Sequence, residues 1–165
     1  MRNKRLFNLT LISLTAAIYV AICYVLQPIS FGPIQLRFSV ILCLFSIDYL
    51  WALFGVSLGC FISNTFIGGL GIIDAVFGTL STVISCSLAY MFRKRLIKGY
   101  PLLSTLMIVL TDAIIIGAEL AYILNNQNLM WLYMIQVGIG ELVVLLIGLP
   151  IYKKIKVVID KRLAQ

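Results

Sequence analysis

Four carboxylic acids, Asp74, Asp112, Glu119 and Glu141, lie inside or at the edge of long hydrophobic runs, and one cation, Arg37, sits on the loop that follows the first run. An ionisable group at the centre of a bilayer costs about 2.5–3.5 kcal/mol on insertion scales. Such groups face a protein interior or a wet cavity, and they mark functional sites by default. Carboxylates accept hydrogen bonds from ligand donors, and a guanidinium forks to a carbonyl, carboxylate or phosphate. Asp112 and Glu119 are seven apart, so they share one helix face. The alternative for each acid is a purely structural cap or pair.

This is binding chemistry, not catalysis. The chain has no histidine, and its cysteines (Cys23, Cys43, Cys60, Cys86) fall one each in separate apolar runs without metal-ligand spacing. No H-E-x-x-H, C-x-x-C or G-x-S-x-G is present, and "GGLG" lacks the lysine of a phosphate-binding loop. Asp74 and Asp112 fall on different spans at different depths, which argues against an aspartate pair for intramembrane hydrolysis. No enzyme activity, metal or cofactor is expected.

The elements that must position these groups follow from composition. Of 165 residues 62% are hydrophobic and 12% charged, with mean hydropathy +1.08; a soluble domain has about half apolar and a quarter charged residues. At roughly 20 residues per span, the expected fold is all-α, one domain over 1–165, with six membrane helices at 6–26, 38–52, 53–67, 72–92, 102–124 and 131–152. Near Tyr49–Trp51 a single kinked span competes with the division into two. The first run exceeds 20 residues without a clear cleavage site, so it reads as a retained span, not a signal peptide.

Net charge is +7, and twelve of the thirteen basic residues form three clusters. These are Arg2, Lys4 and Arg5; Arg93, Lys94, Arg95 and Lys98; and Lys153, Lys154, Lys156, Lys161 and Arg162. Clusters beside spans are the positive-inside signature, not a nucleic-acid surface. Six spans with both termini cytoplasmic put all three inside. Arg37 is then the sole outer cation, Asp48 lies at an inner hairpin and Asp160 in the basic tail.

The loop "QPISFGPIQLRFS" at 27–39 adds Phe31 as a stacking surface and Gln35 as a polar contact, and Asn64 adds a second polar contact. Small residues recur every fourth position at Ser13, Ala17 and Ala21, and again at Gly55, Gly59 and Ser63. Such stripes let membrane helices approach closely. The second suits internal packing; the first suits either packing or docking of another membrane subunit.

With "PISFGPIQLRFS", "IIDAVFGTLSTVIS", "DAIIIGAEL" and "VGIGELVV" in order along the chain, the sequence resembles the substrate-binding S components of energy-coupling factor (ECF) transporters, specifically the QueT family linked to queuosine precursors. The resemblance implies a bacterial plasma-membrane protein that captures a micronutrient at its outer face. It implies as partners a transmembrane coupling (T) subunit and two ATPase subunits, with Ser13, Ala17 and Ala21 as the docking stripe. The pocket residues would be Arg37, Asp74, Asp112, Glu119 and Glu141, helped by Phe31, Gln35 and Asn64, under the 27–37 loop as a lid. Two positions depart from the family pattern: Val40 stands where a glutamate is usual, and Asp112 where asparagine is. They raise another vitamin, such as a cobalamin, as the alternative ligand. Two further alternatives are a stand-alone proton-coupled carrier using Asp112 and Glu141, and a membrane assembly protein without a ligand.

Overall fold

In lipid every backbone N–H and C=O must be satisfied within the chain, and a run of apolar residues does this as a helix. The computed structural model describes residues 4–30, 36–68 and 70–163, and helices account for most of them. In chain order these are α1 (Lys4–Val25), the one-turn α2 (Gln27–Ser30), a 3₁₀ helix η1 (Phe38–Ile47), α3 (Leu50–Phe66), α4 (Ile72–Met91), α5 (Leu102–Ile123), a short 3₁₀ turn η2 (Gln127–Leu129) and α6 (Met130–Leu163).

Side-chain contacts fix the direction of each element. Thr15 meets Gly55 and Tyr19 meets Gly59, so α1 and α3 run in parallel. Asn64 bonds Asp74, Ser81 bonds Asp112, and Gly117 meets Met134, so α3, α4, α5 and α6 are successively antiparallel. In η1, Ser39 lies 3.1 Å from Cys23 near the end of α1, whereas Asp48 just beyond η1 is bound by Tyr152 and Lys156 of α6. Six segments therefore alternate in direction. Arg5, the Arg93–Lys98 segment and the lysines of α6 come to one end, and Arg37 stands at the other.

Among the described residues four helices are long and apolar enough to cross a membrane: Arg5–Val25, Ile72–Met91, Leu102–Ile123 and Gln127–Lys161. The expected span at 38–52 takes a different form. The chain breaks at Asp48–Tyr49, leaving ten residues of η1 and seventeen of α3 as shorter apolar helices. At about 2.0 Å per residue, η1 still covers roughly 20 Å, where an α-helix of that length would cover about 15 Å. Composition does not reveal it, because "FSVILCLFSI" is apolar but for Ser39 and Ser46. The reason is burial: Val40, Cys43, Leu44, Phe45 and Ile47 are all enclosed in the main hydrophobic core. At the other extreme, α6 has 34 residues, about 51 Å, and outruns a hydrocarbon core of about 30 Å.

The stripe of Gly55, Gly59 and Ser63 packs inward, as its spacing suggests. A Cβ on Gly59 would lie 2.7 Å from Cβ of Tyr19, and one on Gly117 would lie 2.6 Å from Cα of Met134. Gly59→Leu should therefore overpack the α1–α3 seam, at about 1–3 kcal/mol, and lower the thermal unfolding midpoint of detergent-purified protein by several degrees. Ala17→Leu, on the exposed face of α1, should leave that midpoint in place. Equal midpoints for Gly59→Leu and the parent chain would refute the seam.

Candidate functional site

The site residues arise from one buried stripe on each of four elements. On α4, Asp74, Gly78, Ser81, Thr82 and Ser85 recur at helical spacing and are all buried. On α5 the matching face carries Asp112 and Glu119. Because the two helices are antiparallel, Asp74 stands level with Glu119, and Ser81 with Asp112. Asn64 of α3 and Glu141 of α6 complete the ring, and Arg37 enters from above η1. Exposure is 6% for Arg37, 2% for Asp74, 5% for Asp112, 6% for Glu119 and 5% for Glu141. All five ionisable groups are thus withdrawn from the surface together.

They form two tiers about 10 Å apart, the rise of seven helical residues. In the upper tier Arg37 Nη2 lies 3.8 Å from Asp74 Oδ1, and the amide nitrogen of Asn64 donates to Asp74 O at 3.0 Å and to Asp74 Oδ1 at 3.3 Å. Gly78 makes room for that amide: a Cβ there would sit 2.2 Å from Asn64 Nδ2. Glu119 feels both Asp74 and Arg37 electrostatically. Tyr19 and Cys60 crowd the guanidinium from α1 and α3. In the lower tier the Ser81 hydroxyl donates to Asp112 Oδ1 at 2.5 Å, and Asp112 also contacts Ser85 and Glu141. Arg37 acts on both lower acids through space.

The tiers leave several acceptors open. Both carboxyl oxygens of Glu119, Oε2 of Glu141, Oδ2 of Asp74 and Oδ1 of Asn64 are buried without a hydrogen-bond partner among the described residues. A buried polar atom left unsatisfied costs about 1–3 kcal/mol. A ring of such atoms, inside a bundle that is otherwise apolar, suits a ligand that brings N–H donors. No group of three or more metal-ligating side chains occurs among the described residues, and all four cysteines are buried free thiols.

Of the residues singled out from sequence, Arg37, Asn64, Asp74, Asp112, Glu119 and Glu141 come together here. Phe31 and Gln35 lie outside the described residues. Val40 is buried in the hydrophobic core at the start of η1. Asp48 and Asp160 are paired at the basic end: Lys156 lies 3.0 Å from Asp48 and 3.4 Å from Asp160. Ser13, Ala17 and Ala21 face outward along a shallow groove of about 560 Å³ shared with Val20, Leu58 and Ile62. Sequence reasoning missed Ser81 and Ser85. The Asp74–Gly78–Ser81–Thr82–Ser85 stripe was the available signal.

Breaking the upper tier should be costly in a way that double mutation relieves. Asp74→Ala removes the carboxylate beside a buried guanidinium, and Arg37→Gln removes the guanidinium itself. Contacting groups couple by about 0.5–3 kcal/mol, so the double variant should lose less stability in urea or thermal unfolding than the two single losses combined. Strict additivity would show that the pair does not interact.

Comparison with known proteins places the chain in a family. The QueT transporter family model matches residues 9–157, nearly the whole chain. A curated relative, the queuosine precursor transporter QueT of Lactococcus lactis subsp. cremoris (strain MG1363), is 32% identical over 105 residues. That match takes in 61% of this chain and 59% of the relative's length. No solved structure matches. On the extent of the family match, carried on a bundle of apolar helices, the chain is a multi-pass membrane protein that belongs to the QueT transporter family.

Proposed function

We propose that the chain is the S component of an ECF-type transporter, capturing a queuosine precursor at the outer face of a bacterial plasma membrane for ATP-driven uptake. The observation that carries this reading is the two-tier ring of buried, partly unsatisfied acceptors around Arg37. Queuosine precursors are 7-deazaguanines, flat bicycles with an exocyclic amine and ring N–H groups. Four carboxyls against one guanidinium favour a ligand rich in donors or bearing an ammonium. Glu119 and Glu141 take the donor edges, Ser81 and Asn64 hold Asp112 and Asp74 beside them, and Arg37 forks to the ring carbonyl. Phe31 stacks on the heterocycle and Gln35 adds a polar contact from the lid.

The topology proposed is six crossings with both termini cytoplasmic. Alternation of the six segments, with the basic residues gathered at one end, supports it. The T subunit docks on the stripe of Ser13, Ala17 and Ala21, which lies exposed on α1 and leaves room for a close helix approach. The two ATPase subunits supply the energy that a chain without a phosphate-binding loop does not. Family membership favours a queuosine precursor over the cobalamin that Val40 and Asp112 had raised. A ligand-free assembly protein would have its acids paired internally, which the unsatisfied oxygens of Glu119 and Glu141 oppose. One observation favours a proton-coupled carrier: Asp112 and Glu141 touch. That reading requires uptake by this chain alone under a proton gradient.

Two experiments separate these roles. Arg37→Ala should weaken calorimetric binding of queuine at least tenfold, with the purified protein still folded; unchanged affinity would remove Arg37 from the pocket. Ala17→Trp should abolish transport by the reconstituted complex while the isolated protein still binds ligand. Transport surviving that bulky residue would move docking elsewhere.

A further inference from the structure

We propose that the cleft at the basic end of the bundle, between α6 and the segment joining α4 to α5, binds the phosphate of an anionic phospholipid. The cleft encloses about 240 Å³, and its charged lining is Asp48, Arg93, Lys153, Lys156 and Asp160. Three cations therefore meet two carboxylates, and the carboxylates are already occupied. Lys156 bridges Asp48 and Asp160 at 3.0 and 3.4 Å, while the Tyr152 hydroxyl donates to Asp48 and the Tyr49 hydroxyl to Asp160. Burial, and then that bond to Asp160, hold the Tyr49 phenol above its ordinary pKa, so it stays a donor.

Arg93 and Lys153 have no acidic partner among the described residues. Each is seated on a tyrosine. The Arg93 guanidinium lies 3.8 Å from the ring centre of Tyr90 and donates from Nη1 to the Tyr90 carbonyl at 3.0 Å, which leaves most of its five donors for an anion. Lys153 Nζ lies 4.5 Å from the ring centre of Tyr100 and faces Gly99, whose φ of +76° suits a residue without a side chain. Two held cations on facing walls of one cleft match a phosphate.

The rim identifies the source of that phosphate. Leu96 and Val157 line the cleft and are 60% and 52% exposed, and Ile97 beside them is 51% exposed. Apolar side chains next to a cationic cleft at a helix end suit acyl chains beneath a headgroup, which free phosphate does not supply. Basic pockets between membrane helices take anionic headgroups in this way.

The test is thermal unfolding of the full chain in nanodiscs of phosphatidylcholine alone or mixed with phosphatidylglycerol. Phosphatidylglycerol should raise the midpoint by several degrees. Arg93→Gln with Lys153→Gln should abolish the shift, whereas Lys154→Gln with Lys161→Gln, which removes equal charge from positions outside the cleft lining, should retain it. A shift that persists in the cleft variant, that vanishes equally in the control, or that millimolar inorganic phosphate reproduces would overturn the assignment. If the double cleft variant does not fold, native mass spectrometry of Lys153→Gln decides. Loss of bound phosphatidylglycerol supports the site, and full retention refutes it.

Discussion

Everything in this bundle is arranged around a guanidinium held in an apolar interior. Removing such a charge from water costs several kcal/mol unless a counter-charge and hydrogen-bonding groups surround it. Asp74 supplies the near carboxylate at 3.8 Å, and three further acids stand within electrostatic reach. To bring those groups to Arg37, α4 and α5 must present polar stripes to each other, α3 must offer Asn64, and η1 must deliver Arg37 from above. The tight seams at Gly59, Gly78 and Gly117 are the packing consequence, since the polar tiers close only if the helices approach this nearly.

The same arrangement leaves the ring incomplete. One guanidinium and a few hydroxyl and amide donors do not satisfy four carboxyls, and several buried oxygens have no partner among the described residues. In a protein of pure structural purpose, apolar replacements at those positions would be the more stable choice. On the proposed function the deficit is the recognition element: a donor-rich heterocycle completes the tiers, and a ligand rich in carboxylates meets repulsion.

Much of this was legible in the sequence, for physical reasons. Charge is so expensive in a membrane helix that Asp74, Asp112, Glu119 and Glu141 announce an interior cluster by their presence, and seven-residue spacing puts Asp112 and Glu119 on one face. The basic clusters likewise gave the common end of α1, α4 and α6. What composition could not encode was local geometry. The stretch 38–47 is apolar but for Ser39 and Ser46, so periodicity does not distinguish an α-helical span from the buried 3₁₀ segment observed. Ser81 and Ser85 escaped because a serine in a membrane helix usually bonds its own backbone; Ser81 instead bonds Asp112, a contact that needs α5 in register. The pairing of Asp48 with Tyr152 and Lys156, more than a hundred residues on, was visible only as shared proximity to the basic side.

The central claim is that the unsatisfied acids are the binding surface for a deazaguanine. It is tested most directly by calorimetric titration of queuine and of cobalamin into the purified chain and into Glu141→Gln, whose circular dichroism should match the parent. The account predicts saturable binding of queuine to the parent chain, no heat from cobalamin, and at least tenfold weaker queuine binding to the variant. Parent-like affinity in Glu141→Gln, or binding of cobalamin in place of queuine, would contradict it.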